Sequence, residues 1–290
     1  MKFTVDYVPP FSLHYHAENG YAQRSFWIGD RPVVIRLRQD APDDVVYAEA
    51  YSDAALGRIA DRVHAAARRM IAAPDDLGQF RDAIARDKRM LKLVDALHGL
   101  KPMRVPDLWT TLIRSVSAQQ ISVAAARAIR EKLARRFGTV IRVAGEDVSV
   151  VPAPEALVDM TAADFKAVGF SERKGEYVRG LAEAFLDGTI DPDRIEAMPP
   201  EEMIKTLSAL RGIGVWTAEC TGIFCLEHRD LLPADDLGVQ KSITELYRLK
   251  ADPKPKEVLE IAKKKKWEGW RTYVSVYLWG ARNHRVLPLR

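Results

Sequence analysis

Over the first fifty residues apolar and polar positions alternate. Phe3, Val5 and Tyr7, then Phe11, Leu13 and Tyr15, then Phe26 to Ile28, then Val33, Ile35 and Leu37 follow the two-residue period of half-buried strands. Pro9-Pro10, Asn19-Gly20 and Gly29-Asp30 punctuate these runs as turns, so a small antiparallel sheet is expected. Between residues 52 and 72 the period becomes helical, with Leu56, Ile59, Ala60, Val63, Ala67, Met70 and Ile71 on one face. A helix covering the sheet follows from that change. Beyond Leu77 nearly every segment predicts helix. Phe80, Ile84, Leu91, Val94 and Leu97 form one series ended by Gly99 and Pro102. A second series, opened by Asp107, runs through Leu108, Leu112, Ile113, Val116, Ile121, Val123 and Ile129 to Phe137-Gly138. Further helices are expected over 154–160, 161–168, 172–187, 200–209, 214–227, 237–248, 254–265 and 268–283, with a surface hairpin or loop at Val143 to Val151. The expectation is a mainly α protein with a small α+β domain over 1–95 and an all-helical domain over 96–290.

Composition is that of a soluble globular chain, 47% apolar and 29% charged. No apolar run approaches the ~18 residues of a membrane helix, and the opening residues lack the apolar core of a signal peptide. A cytoplasmic, prokaryotic setting is therefore expected. Cys220 and Cys225 sit five apart in one expected helix, which suits free thiols and is too few for a four-cysteine cluster. The histidines show no zinc-ligand spacing, so no metal is expected from side chains. His14 and His16 are placed on one strand face. The net charge of +4 is uneven, since from Leu237 onward 13 Lys/Arg face 5 Asp/Glu. Such a field favours a polyanion, although Lys263 to Lys266 alone also suits a solvated helix end.

The chemistry concentrates in Leu210-Arg-Gly-Ile-Gly-Val-Trp-Thr-Ala218 and Leu232-Pro-Ala-Asp-Asp236-Leu-Gly238. A helix started by Pro199-Pro200-Glu-Glu must stop at Gly212, and the next begins at Gly214 with no side chain in the way. Amides near Gly212, Gly214 and Trp216 can then point outward at a phosphate. A glycine corner of this kind also joins helices with no ligand at all. Downstream, either Asp235 or Asp236 can cap the following helix, and only one cap is needed. The other carboxylate is free for a cleft.

With Gly212-Ile-Gly214 and Pro233-Ala-Asp-Asp236 the chain resembles the helix-hairpin-helix DNA glycosylase superfamily, and within it the DNA-3-methyladenine glycosylase II type. Tyr7-Val-Pro-Pro-Phe11, Ala118-Gln-Gln-Ile-Ser-Val-Ala-Ala125, Trp267-Glu-Gly-Trp-Arg-Thr-Tyr273 and Trp279 extend the likeness along the chain. The resemblance implies the helix-hairpin-helix glycosylase fold and makes Asp236 the catalytic carboxylate, with Asp235 as its structural partner and cap. Trp216 and Trp279 become pocket tryptophans, with Trp279 stacking on a flipped base; Cys220 and Leu237 stand where relatives can carry tyrosines. Gln120 matches the wedge that fills the gap left by the base, with Gln119 beside it. Ser122, Thr217, Gly212 and Gly214 are implied in gripping DNA. Arg282, three residues past Trp279, can reach the nucleotide or a flanking phosphate, or be an ordinary surface arginine. Lyase relatives carry a lysine where Trp216 stands, so a monofunctional enzyme is expected, leaving an abasic site after removing N3- or N7-methylated purines. The partner is duplex DNA bearing damaged bases, bound by a monomer. No cofactor is expected beyond a structural cation that hairpin carbonyls can hold. The rivals are a glycosylase for deaminated or oxidised bases and a non-catalytic damaged-DNA-binding protein.

Overall fold

The computed structural model describes residues 1–288. A four-stranded antiparallel sheet of order β1-β4-β3-β2 comprises β1 (Lys2–Val5), β2 (Ala22–Ile28), β3 (Arg31–Gln39) and β4 (Val46–Ser52). Gly29, at φ +65, turns the β2–β3 hairpin. The strand at β4 carries the same alternation as its neighbours, with Val46, Ala48 and Ala50 buried. Its inward side chains are mostly alanine, which hides the pattern in the sequence.

Phe11 to Tyr15 departs from expectation. Leu13–Tyr15 is a short 3-10 turn rather than a strand, so His14 and His16 share no strand face. The local backbone is satisfied by other partners: Phe11 N–H donates to Asp43 Oδ1 (2.7 Å), Leu13 N–H to Gln39 Oε1 (2.7 Å) and Ser12 N–H to the Gly99 carbonyl (3.0 Å). With those groups bonded, no strand ladder is needed.

Helix α1 (Ala60–Met70) packs Val63, Ala67 and Met70 against the sheet's inner face, making a first core with Phe11, Phe26, Ile35 and Leu37. Helices α2 (Leu77–Ala83) and α3 (Lys88–Ala96) divide the Phe80 to Leu97 series, each capped by an aspartate, Asp76 and Asp87. Both pack into the helical core, and after them Met103 and Val105 return to the first core. The second long series is likewise two helices, α4 (Leu108–Ala118) and α5 (Val123–Phe137). Gln119 and Gln120 form the turn between them, Gln120 at φ +56. Gln119 leaves helical geometry at ψ 129 and the left-handed Gln120 follows, so α4 ends whatever the apolar spacing says, and Ser122 then caps α5.

The segment expected as a surface hairpin or loop is a hairpin, β5 (Thr139–Val143) with β6 (Glu146–Val150). It is not wholly superficial, because Ile141, Val143 and Val150 are buried against Val34 of the sheet. Then follow α6 (Pro154–Val158), α7 (Ala162–Ala167), α8 (Glu172–Leu186), α9 (Pro192–Glu196), α10 (Pro200–Ser208), α11 (Val215–Phe224), α12 (Leu237–Tyr247), α13 (Pro255–Lys265) and α14 (Arg271–Asn283). The five-residue α9 is too short for periodicity to reveal. No helix among the described residues is long and apolar enough to cross a membrane.

Candidate active site

The hairpin joins α10 to α11 through Arg211 to Gly214. Gly212 sits at φ +93, and a Cβ there would lie 2.4 Å from the Tyr177 ring. Conformation and packing both require glycine. A Cβ at Gly214 would meet nothing within 4 Å, so that side of the hairpin is open. Gly214 is the N-cap of α11 and no side chain caps it. The amides of the first helical turn have no intrahelical partner and form an anion-receptive end. From behind, Gln119 Nε2 donates to the Gly212 carbonyl (2.7 Å), while Lys174 Nζ donates to the carbonyls of Gln119 (2.6 Å) and Ser117 (3.2 Å). Gln119 thus braces the hairpin, and Gln120 beside it is exposed at the tip of its turn.

Asp236 lies where three helices meet. Its Oδ1 accepts from Val239 N–H (2.8 Å) at the start of α12 and from Trp279 Nε1 (2.8 Å) on α14. Its Oδ2 accepts from Trp216 Nε1 (2.9 Å) on α11. Asp236 is therefore the cap of α12, and Asp235, expected to cap, is exposed. The expectation that capping and cleft duty belong to different aspartates is corrected, because one carboxylate offers acceptor positions enough for both. Gly238 permits this arrangement: a Cβ there would stand 2.9 Å from Asp236 Oδ1 and 3.3 Å from Trp279 Cδ1.

The surrounding side chains are only partly aromatic. Trp216 is 46% exposed and has ring surface to offer, whereas Trp279 is half-buried and stacked on Phe224 at 5.6 Å. Leu237 is 67% exposed at the first position of α12. Cys220, one turn along α11 from Trp216, is half-buried, and burial, Asp236 and Glu219 push its thiol far above the usual range. Thr217 is buried, so its side chain does not face solvent where DNA would lie. Arg282 is engaged with Glu245 of α12 at 2.9 Å, which ties α14 to α12.

Glu219 was not among the residues expected from the sequence. It lies three residues after Trp216, on the same helical face. Burial, then the charges of Asp235 and Asp236, raise its carboxyl to about 7. A folded value above the unfolded one means that ionised Glu219 is penalised in the fold. The penalty is absent below about pH 4.5 and complete above about pH 7. Glu219→Gln is accordingly expected to stabilise the protein at pH 8 by on the order of 1 kcal/mol after solvent screening, with the gain vanishing toward pH 4.5. Denaturant midpoints at pH 8 and pH 5 measure it, and equal gains at both would refute the assignment. A lone glutamate inside an apolar helix was the available signal.

A glycine hairpin between helices, braced from behind and followed by an aspartate that ties its second helix to two more, defines a helix-hairpin-helix glycosylase fold. The comparisons agree: the model for HhH-GPD superfamily base excision DNA repair proteins matches residues 113–268, and the chain belongs to that family. A DNA-3-methyladenine glycosylase of Bacillus subtilis is 30% identical over 205 residues, 71% of this chain and 67% of the relative. DNA-3-methyladenine glycosylase 1 of Schizosaccharomyces pombe is 34% identical, across 66% of this chain and 80% of its own. Among solved structures, a 3-methyladenine DNA glycosylase from Archaeoglobus fulgidus superposes over 100% of both chains with a TM-score of 0.81 at 19% identity, a likeness of fold. The S. pombe 3-methyladenine glycosylase in complex with abasic DNA matches 68% of this chain and 95% of its own at TM-score 0.58 and 31% identity.

Proposed function

We propose that this protein is a monofunctional DNA glycosylase that flips an alkylated purine out of duplex DNA and hydrolyses its N-glycosidic bond, leaving an abasic site. The observation carrying this reading is the Asp236 carboxylate, pinned by the indole N–H groups of Trp216 and Trp279 and by an α-helix N-terminus. Cleavage of the bond builds positive charge at the sugar, as in oxocarbenium-like glycosidase transition states. A carboxylate fixed before the reaction stabilises that charge without having to reorganise. Three N–H donors occupy three of its roughly four acceptor directions, leaving room for one more approach. The relatives named for 3-methyladenine support alkylated purines as substrates. A cationic methylated base is a weakened leaving group that an electron-rich ring attracts, and the exposed Trp216 supplies such a ring. Gln120 at its exposed turn would fill the vacated stack. The enzyme is proposed to work as a monomer in the cytoplasm. A cation at the hairpin would have to be held by carbonyls, of which Gly212 already accepts from Gln119; no step is assigned to it.

Trp216 occupies the place where lyase relatives would present an amine, so no Schiff base is expected. With methylated duplex DNA the protein should release methylpurines, nick the strand only after alkali, and yield no covalent adduct on borohydride reduction. Borohydride trapping would overturn the monofunctional assignment. Tight binding to methylated DNA without base release would favour the damage-binding rival.

A further inference from the structure

Just ahead of strand β2, Glu18 pairs with Arg127 of α5 (3.5 Å), and β2, α4 and α5 each carry an arginine whose charge is poorly answered. Arg24 of β2, Arg114 of α4 and Arg130 of α5 are each half-buried, and none forms an ion pair within 4 Å among the described residues. Arg24 Nη1 reaches only the carbonyl of its neighbour Gln23 (2.9 Å), and its Nε is buried without a partner. Arg130 Nη1 has Ser117 Oγ (3.1 Å), and Arg114 has no side-chain hydrogen bond among the described residues. The acids whose charge acts on them are Glu18 on Arg24 and Glu131 on Arg130. Both are shared with Arg127, each at 3.5 Å. Burial and the neighbouring arginines, Arg114 foremost, lower Arg24 and Arg130 to about 10; burial lowers Arg114 as well. Helix α5 is itself basic, with five Lys/Arg against one Asp/Glu.

Guanidinium groups brought together, partly desolvated and left to share their acids with Arg127, are costly unless an anion completes them. Their planar forks suit phosphate oxygens. Position favours a strand phosphate over a free one. Arg130 bonds Ser117, whose carbonyl shares the Lys174 ammonium with the carbonyl of Gln119, and Gln119 braces the hairpin at Gly212. The cluster is thus linked by consecutive hydrogen bonds to the turn that carries Gln120.

We propose that Arg24, Arg114 and Arg130 form a phosphodiester-binding site for the DNA backbone flanking the Gln119-Gln120 turn, so that the N-terminal sheet takes part in DNA binding through Arg24. The inference rests on the reading of the chain as a DNA glycosylase. It concerns grip rather than bond cleavage.

The test is the salt dependence of affinity for an undamaged duplex, with wild type, Arg24→Gln, Arg130→Gln and, as a control, Arg142→Gln on the β5–β6 hairpin, where Arg142 pairs with Asp147. Each lost phosphate contact should lower the slope of log K against log salt by about 0.9 and weaken binding about five-fold near 0.15 M salt. Arg142→Gln should leave both unchanged. Single-turnover base release from methylpurine DNA should be unchanged in the Arg142→Gln control, whose residue touches neither the cluster nor the hairpin turn. Arg24→Lys and Arg130→Lys, which keep the charge, should keep the slope; this separates lost grip from a fold disturbed by the substitution. Unchanged slopes in the Gln variants would overturn the proposal. So would millimolar inorganic phosphate that raises the wild-type melting temperature but not that of the Gln variants while leaving their DNA affinities equal, since the cluster would then hold a free anion. If wild type fails to bind duplex DNA at all, the glycosylase reading itself falls, a result distinct from equal slopes.

Discussion

Asp236→Asn is expected to lower single-turnover release of methylpurines by on the order of 10³-fold while leaving the protein folded and able to bind DNA. Asparagine caps helices about as well as aspartate, so its Oδ1 can keep the bonds from Val239 and Trp279. The other bond fails, because the amide would face Trp216 Nε1, donor against donor, where Oδ2 now accepts at 2.9 Å. That loss costs about 1 kcal/mol and should appear as a small fall in melting temperature. The missing negative charge acts mainly on the transition state, where positive charge on the sugar has gone unanswered. Asp236→Ala would remove cap and charge together, so it cannot separate the two roles. The assay is release of 7-methylguanine from methylated duplex at saturating enzyme, alongside a thermal melt. Activity within ten-fold of wild type in the Asn variant would make Asp236 a cap alone.

Much of the site's raw material was legible in the sequence, because glycine, proline and aspartate carry local meaning. Gly212 is forced by a positive φ and the Tyr177 ring beneath it, and Pro233 ahead of two aspartates marks a helix start. The division of labour within Asp235-Asp236 was not legible. It depends on Trp279, 43 residues away, and on which carboxylate its indole N–H meets. Helix continuity across Gln119-Gln120 misled for a related reason: the apolar spacing continues through the turn, whereas the chain leaves the helix at Gln119, whose side chain bonds the hairpin. Phe11 to Tyr15 alternates like a strand, but Asp43, Gln39 and Gly99 take its backbone bonds. The arginine cluster could not be foreseen either, since Arg24 comes from a strand far ahead of the consecutive helices that carry Arg114 and Arg130. Local pattern reports periodicity and capping well; it is silent on charge brought together by tertiary packing.

Asp75→Ala is expected to destabilise the protein by about 3 kcal/mol, the low end of the cost of breaking a buried ion pair, because Arg104 keeps Glu227 as a second partner. That amounts to a fall in melting temperature on the order of 10 °C. Asp75 is buried, and its Oδ2 accepts from Arg104 Nη2 (3.2 Å) and from the Tyr273 hydroxyl (2.6 Å). Arg104, 1% exposed, also donates to the Ile223 carbonyl (3.3 Å) and pairs with Glu227 at 2.9 Å. Without Asp75 a buried guanidinium retains Glu227 as its one close acid among the described residues. The consequence should reach the site. Ile223 precedes Phe224, which stacks on Trp279, and Tyr273 lies on α14 with Trp279, so the same network fixes both helices whose indoles hold Asp236. Arg104→Met combined with Asp75→Ala removes the half-answered charge along with its partner. The pair should therefore cost clearly less than the sum of the single substitutions. Additive losses would mean that the two side chains act through separate contacts, and an Asp75→Ala protein melting within 2 °C of wild type would show that water already answers the charge of Arg104.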